Sequence, residues 1–353
     1  MKILSAASAF PEHYYQQDFL FSALSDYWKD QLPNMEMLRR LHVRACVDGR
    51  YLARPIADYY RMRTFGEFNN AWMEAAEQLG TQALERAMLQ SGTRPHQIGA
   101  LFFVSVTGVS SPSMDVRFIN NLKLSPNTRR IPIFGLGCVA GAAGIARAAD
   151  YVKAYPHQVA ALVSVETCSL TLQREDLTVA NLISSGLFGD GAAAVLVAGA
   201  DVSTTAEQSG PKIIATKSTL YPNTEEVMGW HVSEKGFGLV LSPDVPKVIR
   251  EHLGLDVDAF LAEHGLSRAD IGAWVLHTGG PKVLEASQGA LGIDRAALEI
   301  SWECLRTTGN LSSASVLCVL EQFMTKRRPA PGTWSILAAM GPGFCSELIL
   351  MRW

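Results

Sequence analysis

The sequence predicts a layered α/β fold built from two halves that repeat the same unit. Short apolar stretches rich in Val, Ile, Ala and Phe alternate with longer stretches of helical periodicity along most of the 353 residues. Such alternation is typical of helices packed on a sheet. Three short motifs of the first half also return in the same order in the second half. A polar stretch with linker composition, residues 201–211, separates the two halves.

The predicted elements follow the chain in a simple order. An apolar run at residues 3–10, stopped by Pro11, predicts a first strand because it is too short for a signal peptide. Further strands are predicted at residues 100–106, 160–165, 192–197, 213–216, 273–276, 334–339 and 347–351. Helices are predicted at residues 70–90, 141–155, 245–264 and 310–326.

The internal repeat predicts a duplicated unit with a pseudo-twofold axis. The matching segments are IGALFF (98–103) and IGAWVL (271–276), GC (137–138) and GN (309–310), and GDG (189–191) and GPG (341–343). The two halves are therefore predicted at residues 1–200 and 212–353. In such a fold Cys138 and Asn310 lie at corresponding helix starts and face each other across the axis.

Composition excludes several classes of protein. Hydrophobic residues make up 48% and charged residues only 18%, which is enough apolar material for a large core and excludes a disordered chain. A net charge of −3 does not favour nucleic-acid binding. The apolar run 131–146 is rich in glycine and ends in Arg147, so no membrane span is predicted. Six scattered cysteines without a C-x-x-C pair predict free thiols in a reducing cytosol and no metal site.

Cys138 is the strongest candidate nucleophile in the chain. It lies in GLGCVAGAAG (135–144), where glycines on both sides permit a tight strand-to-helix turn and close approach of a ligand. A helix N-terminus stabilises a thiolate, so a lowered pKa is expected for this thiol. The alternative is a buried structural thiol, which remains the better interpretation for the other five cysteines.

Two further residues could act beside that cysteine. His277 ends the apolar run 271–276 and precedes a glycine pair, a position that can present an imidazole to a cleft. Its alternative is an ordinary core or surface histidine. Asn310 opens a predicted helix, and helix capping alone explains an asparagine there. The glycine turns at 189–191 and 341–343 match no nucleotide-binding motif.

With these residues in place, the chain closely resembles the type III polyketide synthases, the chalcone synthase-like enzymes of the thiolase fold. The resemblance runs almost end to end. The motifs that carry it are GLGCVAGAAG (135–144), LFGDGAAAV (187–195), HTGGPKVLEA (277–286), GNLSSAS (309–315) and GPGF (341–344). It implies duplicated αβαβα halves, with Cys138 as nucleophile and His277 and Asn310 as its catalytic partners.

The resemblance also implies a substrate cavity. Its residues would be Cys168, Thr171, Phe188, Trp230, Leu239, Gly341, Pro342, Gly343 and Phe344. Phe188 is the family's gatekeeping phenylalanine, and Leu239 stands where relatives carry a second cavity phenylalanine. The segments ETCSLT (166–171) and MGWH (228–231) are most similar to bacterial alkylpyrone and alkylresorcinol synthases, which take long fatty acyl starters.

The implied activity is that of an acyltransferase. An acyl chain from acyl-CoA is held on Cys138, and malonyl-CoA extends it by decarboxylative Claisen condensation before ring closure. No metal or redox cofactor is implied. Arg39, Arg40, Arg44 and Arg50 match loosely the residues that relatives use for coenzyme A, although a solvated helix face also explains such a cluster. A cytoplasmic homodimer is expected, with residues 107–115 near its dyad.

Two other functions remain open at this point. An initiating β-ketoacyl synthase of fatty-acid synthesis shares the fold and a Cys/His/Asn set, but it stops after one condensation. A non-catalytic acyl-binding subunit of the same fold is less favoured, because such subunits usually lose the nucleophile, and Cys138, His277 and Asn310 are all present here.

Overall fold

The computed structural model describes residues 1–203 and 210–353. The middle of the predicted linker, residues 204–209, lies outside the described residues. The strands are β1 (Lys2–Ala9), β2 (His13–Gln16), β3 (Gly49–Leu52), β4 (Ile98–Val104), β5 (Arg129–Ile133), β6 (Val159–Thr167), β7 (Asp190–Ala198), β8 (Lys212–Leu220), β9 (Met228–Ser233), β10 (Gly236–Leu241), β11 (Ile271–Leu276), β12 (Trp334–Gly341) and β13 (Cys345–Arg352).

The α-helices alternate with these strands. They are α1 (Gln17–Trp28), α2 (Met35–Arg44), α3 (Ile56–Tyr59), α4 (Phe65–Ser91), α5 (Asp115–Asn121), α6 (Ala140–Ala154), α7 (Val179–Leu187), α8 (Val245–Ala262), α9 (Pro281–Leu291), α10 (Glu299–Thr308) and α11 (Ser315–Thr325). Among the described helices, none combines the length and the apolar character needed to cross a membrane.

The strand order confirms the predicted duplication. Nine strands form one sheet in the order β11-β12-β13-β8-β1-β7-β6-β4-β5. On one side of the β8–β1 junction, β1 runs antiparallel to β7, β7 to β6, and β6 parallel to β4. On the other side, β8, β13, β12 and β11 repeat that pattern. Because the junction itself is antiparallel, a pseudo-twofold axis passes between β1 and β8.

Side-chain alternation along the strands divides the core into layers. Phe102 of β4 and Leu337 of β12 join a central cluster that also contains the buried faces of α6 and α11. Their neighbours Leu101 and Ile336 point the other way. Leu101 packs with α4 in one outer cluster, and Ile336 packs with α8 and α9 in the other. Each half of the nine-stranded sheet, on either side of the β8–β1 junction, thus lies between the central helices and one outer helical layer, which is the predicted αβαβα arrangement.

Two smaller sheets lie outside this core, and the sequence patterns did not predict either. Strands β2 and β3 form one, and the β9–β10 hairpin forms the other. Helices α1 and α2 enclose a small satellite cluster around Trp28 and Leu38. Of these additions, α2 and the β9–β10 hairpin line the site described next.

Candidate active site

Cys138 lies on a helical turn, Gly137–Val139, that leads directly into α6. Gly137 has a φ of +54°, a left-handed conformation that favours glycine. A Cβ there would also meet the Pro342 ring at 2.7 Å. Backbone conformation and close packing therefore both require glycine at position 137, in the glycine-framed turn predicted from the sequence. It leaves the Cys138 side chain buried, with 7% of its surface exposed.

Cys138, His277 and Asn310 line a single cavity of about 440 Å³. His277 follows directly after β11, and Asn310 follows α10 just before the turn that leads into α11. Cys138 and Asn310, which the internal repeat relates to each other, thus line the same cavity. A Cβ on Gly141 of α6 would lie 2.2 Å from the Ser313 carbonyl oxygen, so the two halves meet backbone to backbone beside Cys138.

The Asn310 side chain both caps the following turn and faces the cysteine. Its Oδ1 accepts hydrogen bonds from the Ser312 N–H at 2.8 Å and from the Ser315 hydroxyl at 3.3 Å. With Oδ1 held in this way, the amide nitrogen is directed toward the sulfur of Cys138, whose thiolate it would stabilise by hydrogen bonding. The capping interpretation and the functional one are therefore compatible.

Burial makes the free site electrically neutral. It raises the pKa of the Cys138 thiol to about 12, against the smaller opposing effects of hydrogen bonds with Ser312 and Asn310. Burial also lowers the pKa of His277 to about 4, and neither ring nitrogen of His277 has a hydrogen-bond partner among the described residues. The expectation of a low Cys138 pKa is therefore wrong, because desolvation outweighs the helix N-terminus.

A buried carboxyl network under Cys138 was not predicted from the sequence. The Cys138 thiol donates to the Ser312 hydroxyl at 3.7 Å, and the neighbouring Ser313 hydroxyl donates to Glu166. Glu166 also accepts from the Val106 N–H at 3.1 Å and from the Thr107 hydroxyl at 2.9 Å. Burial raises the pKa of Glu166 to about 7. No local pattern signals this network, because its members lie far apart in the chain.

A second cavity of about 90 Å³, called the inner cavity below, lies on the other side of Phe188 from Cys138, and Phe188 lines both spaces. The predicted cavity residues divide between them. Cys168, Thr171, Trp230 and Leu239 line the inner cavity, whereas Phe344 lines the cavity of Cys138. The backbone on either side of Phe188 is tied to Asn310, whose N–H donates to the Leu187 carbonyl at 2.9 Å and whose carbonyl accepts from the Gly189 N–H at 3.0 Å.

The turn Gly341, Pro342, Gly343 supports the site from behind. A Cβ on Gly341 would lie 2.6 Å from the Val139 nitrogen, and Pro342 packs against Gly137. This turn therefore shapes the cavity through the Cys138 backbone, while the following residue, Phe344, contributes its ring to the cavity directly.

Comparison with known proteins agrees with this geometry. The N-terminal domain of chalcone and stilbene synthases matches residues 3–202, and the C-terminal domain matches residues 212–353. The chain belongs to the chalcone and stilbene synthase family. It is 45% identical over 351 residues to 1,3,6,8-tetrahydroxynaphthalene synthase of Streptomyces peucetius subsp. caesius, covering 99% of this chain and 93% of that protein. It is 36% identical over 358 residues to a putative chalcone synthase of Bacillus subtilis, covering 99% and 98%.

A solved structure of the family has the same fold. The crystal structure of 1,3,6,8-tetrahydroxynaphthalene synthase from Streptomyces coelicolor A3(2), a bacterial type III polyketide synthase, superposes with a TM-score of 0.94 at 30% identity, covering 100% of this chain and 99% of that one. The present chain is accordingly a type III polyketide synthase, a malonyl-CoA-using acyltransferase of the thiolase fold. This assignment sets aside the β-ketoacyl synthase and the non-catalytic subunit.

Enzymes of this family act on coenzyme A thioesters and need no cofactor. Within residues 1–203 and 210–353, no group of three His, Cys, Asp or Glu side chains is arranged to hold a metal ion.

The four predicted coenzyme A arginines have different surroundings. Arg44 lines the Cys138 cavity, Arg40 is exposed, and Arg39 lies over the Phe21 ring at 4.4 Å. Arg50 is buried, and its guanidinium donates to the backbone carbonyls of Ser185 and Gly186 and to Gln17.

The structure therefore argues against Arg50 as a phosphate ligand, since its terminal nitrogens are already engaged inside the protein. Lys282, at the start of α9, is a second cation of this cavity that no sequence pattern singled out. Of the residues the structure describes, no Asp or Glu lines that cavity. Arg44 and Lys282 thus line a cavity whose described residues include no carboxylate.

Proposed function

We propose that the synthase takes a long-chain fatty acyl-CoA as its starter, extends it with malonyl-CoA and closes the product to an alkylpyrone or alkylresorcinol. The observation that carries this proposal is the pair of apolar cavities on either side of Phe188. Aliphatic and aromatic side chains dominate both linings, and the larger space holds no carboxylate. An extended alkyl tail suits such a lining because it has no polar group to satisfy.

In this proposal Cys138 is the nucleophile and His277 its general base. Since burial raises the pKa of the thiol to about 12 and lowers that of the imidazole to about 4, the resting pair is neutral. His277 accepts the thiol proton as the sulfur attacks the acyl-CoA carbonyl, and coenzyme A leaves as the acyl chain is transferred. Because its base form persists below neutral pH, loading should keep its rate down to about pH 5.

His277 and Asn310 then act on the extender. Both would donate hydrogen bonds to the malonyl thioester oxygen, which becomes an enolate oxygen when carbon dioxide leaves. The enolate carbon attacks the acyl carbonyl on Cys138, a carbon–carbon bond forms, and the Cys138 sulfur is released. Transfer of the extended chain back from coenzyme A to Cys138 permits another round.

A specific observation favours a second product class. The relative from Streptomyces peucetius, at 45% identity, is a 1,3,6,8-tetrahydroxynaphthalene synthase. That product is a bare polyhydroxylated naphthalene without an alkyl tail. If this chain shared that activity, its two cavities would hold a folded polyketide instead of an aliphatic chain.

Mass spectrometry of the products separates the two. The purified synthase is given malonyl-CoA alone, and then malonyl-CoA with short, medium and long acyl-CoA starters. Our proposal predicts products whose masses increase with the starter. A product of the tetrahydroxynaphthalene mass from malonyl-CoA alone, unchanged when starters are added, would contradict it.

We further infer a homodimer in a reducing cytosol, with two halves at residues 1–200 and 212–353. Residues 107–115 would lie near the dyad, where this chain has Ser111, and the partly exposed Val109 supports a contact there. All six cysteines are free in the structure. Light scattering at micromolar concentration tests the dimer, since a monomer mass would remove it. Arg39, Arg40 and Arg44 remain our proposed coenzyme A contacts.

A further inference from the structure

The β9–β10 hairpin is a wall shared by both cavities. In its antiparallel pairing Met228 lies opposite Leu241, and Trp230 lies opposite Leu239. The first pair lines the cavity of Cys138, and the second lines the inner cavity. Since side chains two positions apart share a face of a strand, all four point inward together. A displacement of this hairpin therefore changes the size of both spaces at once.

The hairpin is attached to the rest of the molecule at a few points. At its base the hairpin is closed by its own chain, because the Ser242 N–H donates to the Val227 carbonyl at 2.9 Å. On its inner face, the Phe237 ring packs edge-on against Phe65, with centroids 5.6 Å apart. It forms a separate two-stranded sheet, so no ladder bonds from the nine-stranded sheet hold it in place. A two-stranded hairpin is only marginally stable without other support.

Gln173 supplies a further attachment, at the hairpin tip. Its Nε2 lies 3.2 Å from the Lys235 carbonyl and 3.3 Å from the Phe237 carbonyl. The same nitrogen lies 3.1 Å from the carbonyl of Thr171, a residue that also lines the inner cavity. The Gln173 backbone is fixed in turn, because the Asn181 side chain donates to its carbonyl at 2.7 Å.

We propose that Gln173 is a positioning residue that determines the length of chain the synthase accepts and builds. Its amide holds the hairpin tip to the segment that carries Cys168 and Thr171, and so fixes how far Trp230 and Leu239 stand from that segment. For starter length the inference rests on the proposed use of fatty acyl-CoA. For the number of condensations it rests only on the polyketide synthase activity of the family.

The neighbouring ion pair does not serve the same purpose. Lys235 and Glu175 lie 2.7 Å apart beside Gln173, but 62% of the first side chain and 76% of the second are exposed. Exposed pairs contribute little because solvent screens them and both side chains lose freedom. This pair therefore provides a matched control at the same place on the hairpin.

The test compares Gln173→Met with Glu175→Gln. Methionine keeps the length of the side chain and removes the donors to the carbonyls. In one reaction, each purified protein is given malonyl-CoA together with an equimolar mixture of short and long acyl-CoA starters. In a second reaction, it is given malonyl-CoA alone. We expect Gln173→Met to change the ratio of long to short products by about fivefold, about 1 kcal/mol in relative barrier height. Glu175→Gln should leave that ratio unchanged.

Thermal melts decide whether the effect is one of position. Both variants should melt within about 3 °C of the parent protein, as expected for changes near the surface. Two outcomes overturn the inference: an unaltered product ratio in Gln173→Met, whether or not it melts earlier, and an equal shift in both variants. Failure of the fatty acyl proposal would be seen separately, because the parent protein would then form no starter-derived products. The reaction with malonyl-CoA alone would still test Gln173 through the number of condensations.

Discussion

Cys138 lies in the middle layer of the fold, whereas Trp230 lies on a two-stranded hairpin outside the main sheet. The space around one glycine in each region shows how differently the two regions are packed. A Cβ on Gly141, beside Cys138, would lie 2.2 Å from a backbone oxygen, but a Cβ on Gly229, beside Trp230, would meet nothing within 4 Å. The reaction centre is closely packed by both halves, and the cavity wall has room to move. Substitutions in the centre should therefore change rates, and substitutions in the wall should change products.

The largest effect is expected from Cys138→Ala. Without the sulfur no acyl chain can be held, so all chain extension should cease. Replacing a buried thiol by a methyl group should cost only about 1 kcal/mol of stability. Product mass spectrometry and a thermal melt check the two statements.

Cys168→Ala is the matched control for that experiment, because Cys168 is also a buried thiol but lines the inner cavity. It should retain chain extension. Loss of extension in both variants, or residual extension in Cys138→Ala, would contradict the assignment of the nucleophile.

Asn310 offers the next largest effect. Asn310→Asp keeps an oxygen that can accept from the Ser312 N–H and the Ser315 hydroxyl, but it loses the amide donor that faces Cys138. Malonyl decarboxylation should fall by about 100-fold or more, in proportion to the loss of one oxyanion donor. Loading of Cys138, followed as the mass of the acyl-enzyme, should fall much less. His277→Gln should likewise slow decarboxylation.

Asn310→Ala separates capping from catalysis. It should reduce decarboxylation as much as the aspartate does, and it should also lose about 1 kcal/mol of stability because the cap is gone. If Asn310→Asp kept parental decarboxylation and only Asn310→Ala lost it, Asn310 would act through the turn alone.

These two sets of residues also differ in how far the sequence could predict them. Cys138, His277 and Asn310 each close or open a regular element near a glycine, so local pattern placed them at element ends. The repeat related Cys138 to Asn310, and the family resemblance added His277. Glu166 gave no such signal, since its partners Val106 and Ser313 are 60 and 147 positions away. The raised pKa of Cys138 could not be predicted either, because desolvation depends on the assembled layers and not on the turn.

Arg50 illustrates the same limit. A cluster of arginines on a short segment predicts an anion site, but the segment leaves α2 and enters β3, where the guanidinium is enclosed by Ser185 and Gly186 of α7. Strand β3 pairs with β2, and its sequence has no apolar pattern that would predict the burial of Arg50.

Trp230→Gly tests the wall directly, with a smaller effect than the changes in the centre. Its indole lines the inner cavity and lies against Phe237, with centroids 6.1 Å apart, but it is only half-buried. Removing the ring enlarges the cavity, so the product set should shift toward longer starters or additional condensations. Product masses and a thermal melt are measured together.

Val232→Gly is the control, since Val232 lies on the same strand and face as Trp230 but 60% exposed and outside both cavity linings. It imposes the same backbone cost without altering a cavity. A destabilised Trp230→Gly with parental products would show that Trp230 is an ordinary packing residue.

The smallest expected effect is on the free energy of unfolding of the protein and not on the rate of its reaction. Burial raises the pKa of Glu166 to about 7, from about 4.5 in an unfolded chain. The folded protein therefore binds this proton more tightly than the unfolded chain does. Its contribution to stability is complete below about pH 4.5 and is lost as the pH rises through 7, with an upper bound of about 3 kcal/mol.

Glu166→Gln removes that proton equilibrium and keeps an oxygen that accepts from the Val106 N–H and the Thr107 hydroxyl, while the Ser313 hydroxyl, which donates to Glu166 in the parent protein, turns to accept from the new amide. Between about pH 5 and about pH 8, the free energy of unfolding in urea should decline less in the variant than in the parent protein. The pKa of buried Asp190 is raised to about 6, and it adds the same decline to both proteins. Glu74→Gln, on a largely exposed side chain, should follow the parent curve. Parallel curves for Glu166→Gln and the parent would show that the carboxyl under Cys138 is already ionised in the folded protein, and that its hydrogen bonds offset burial.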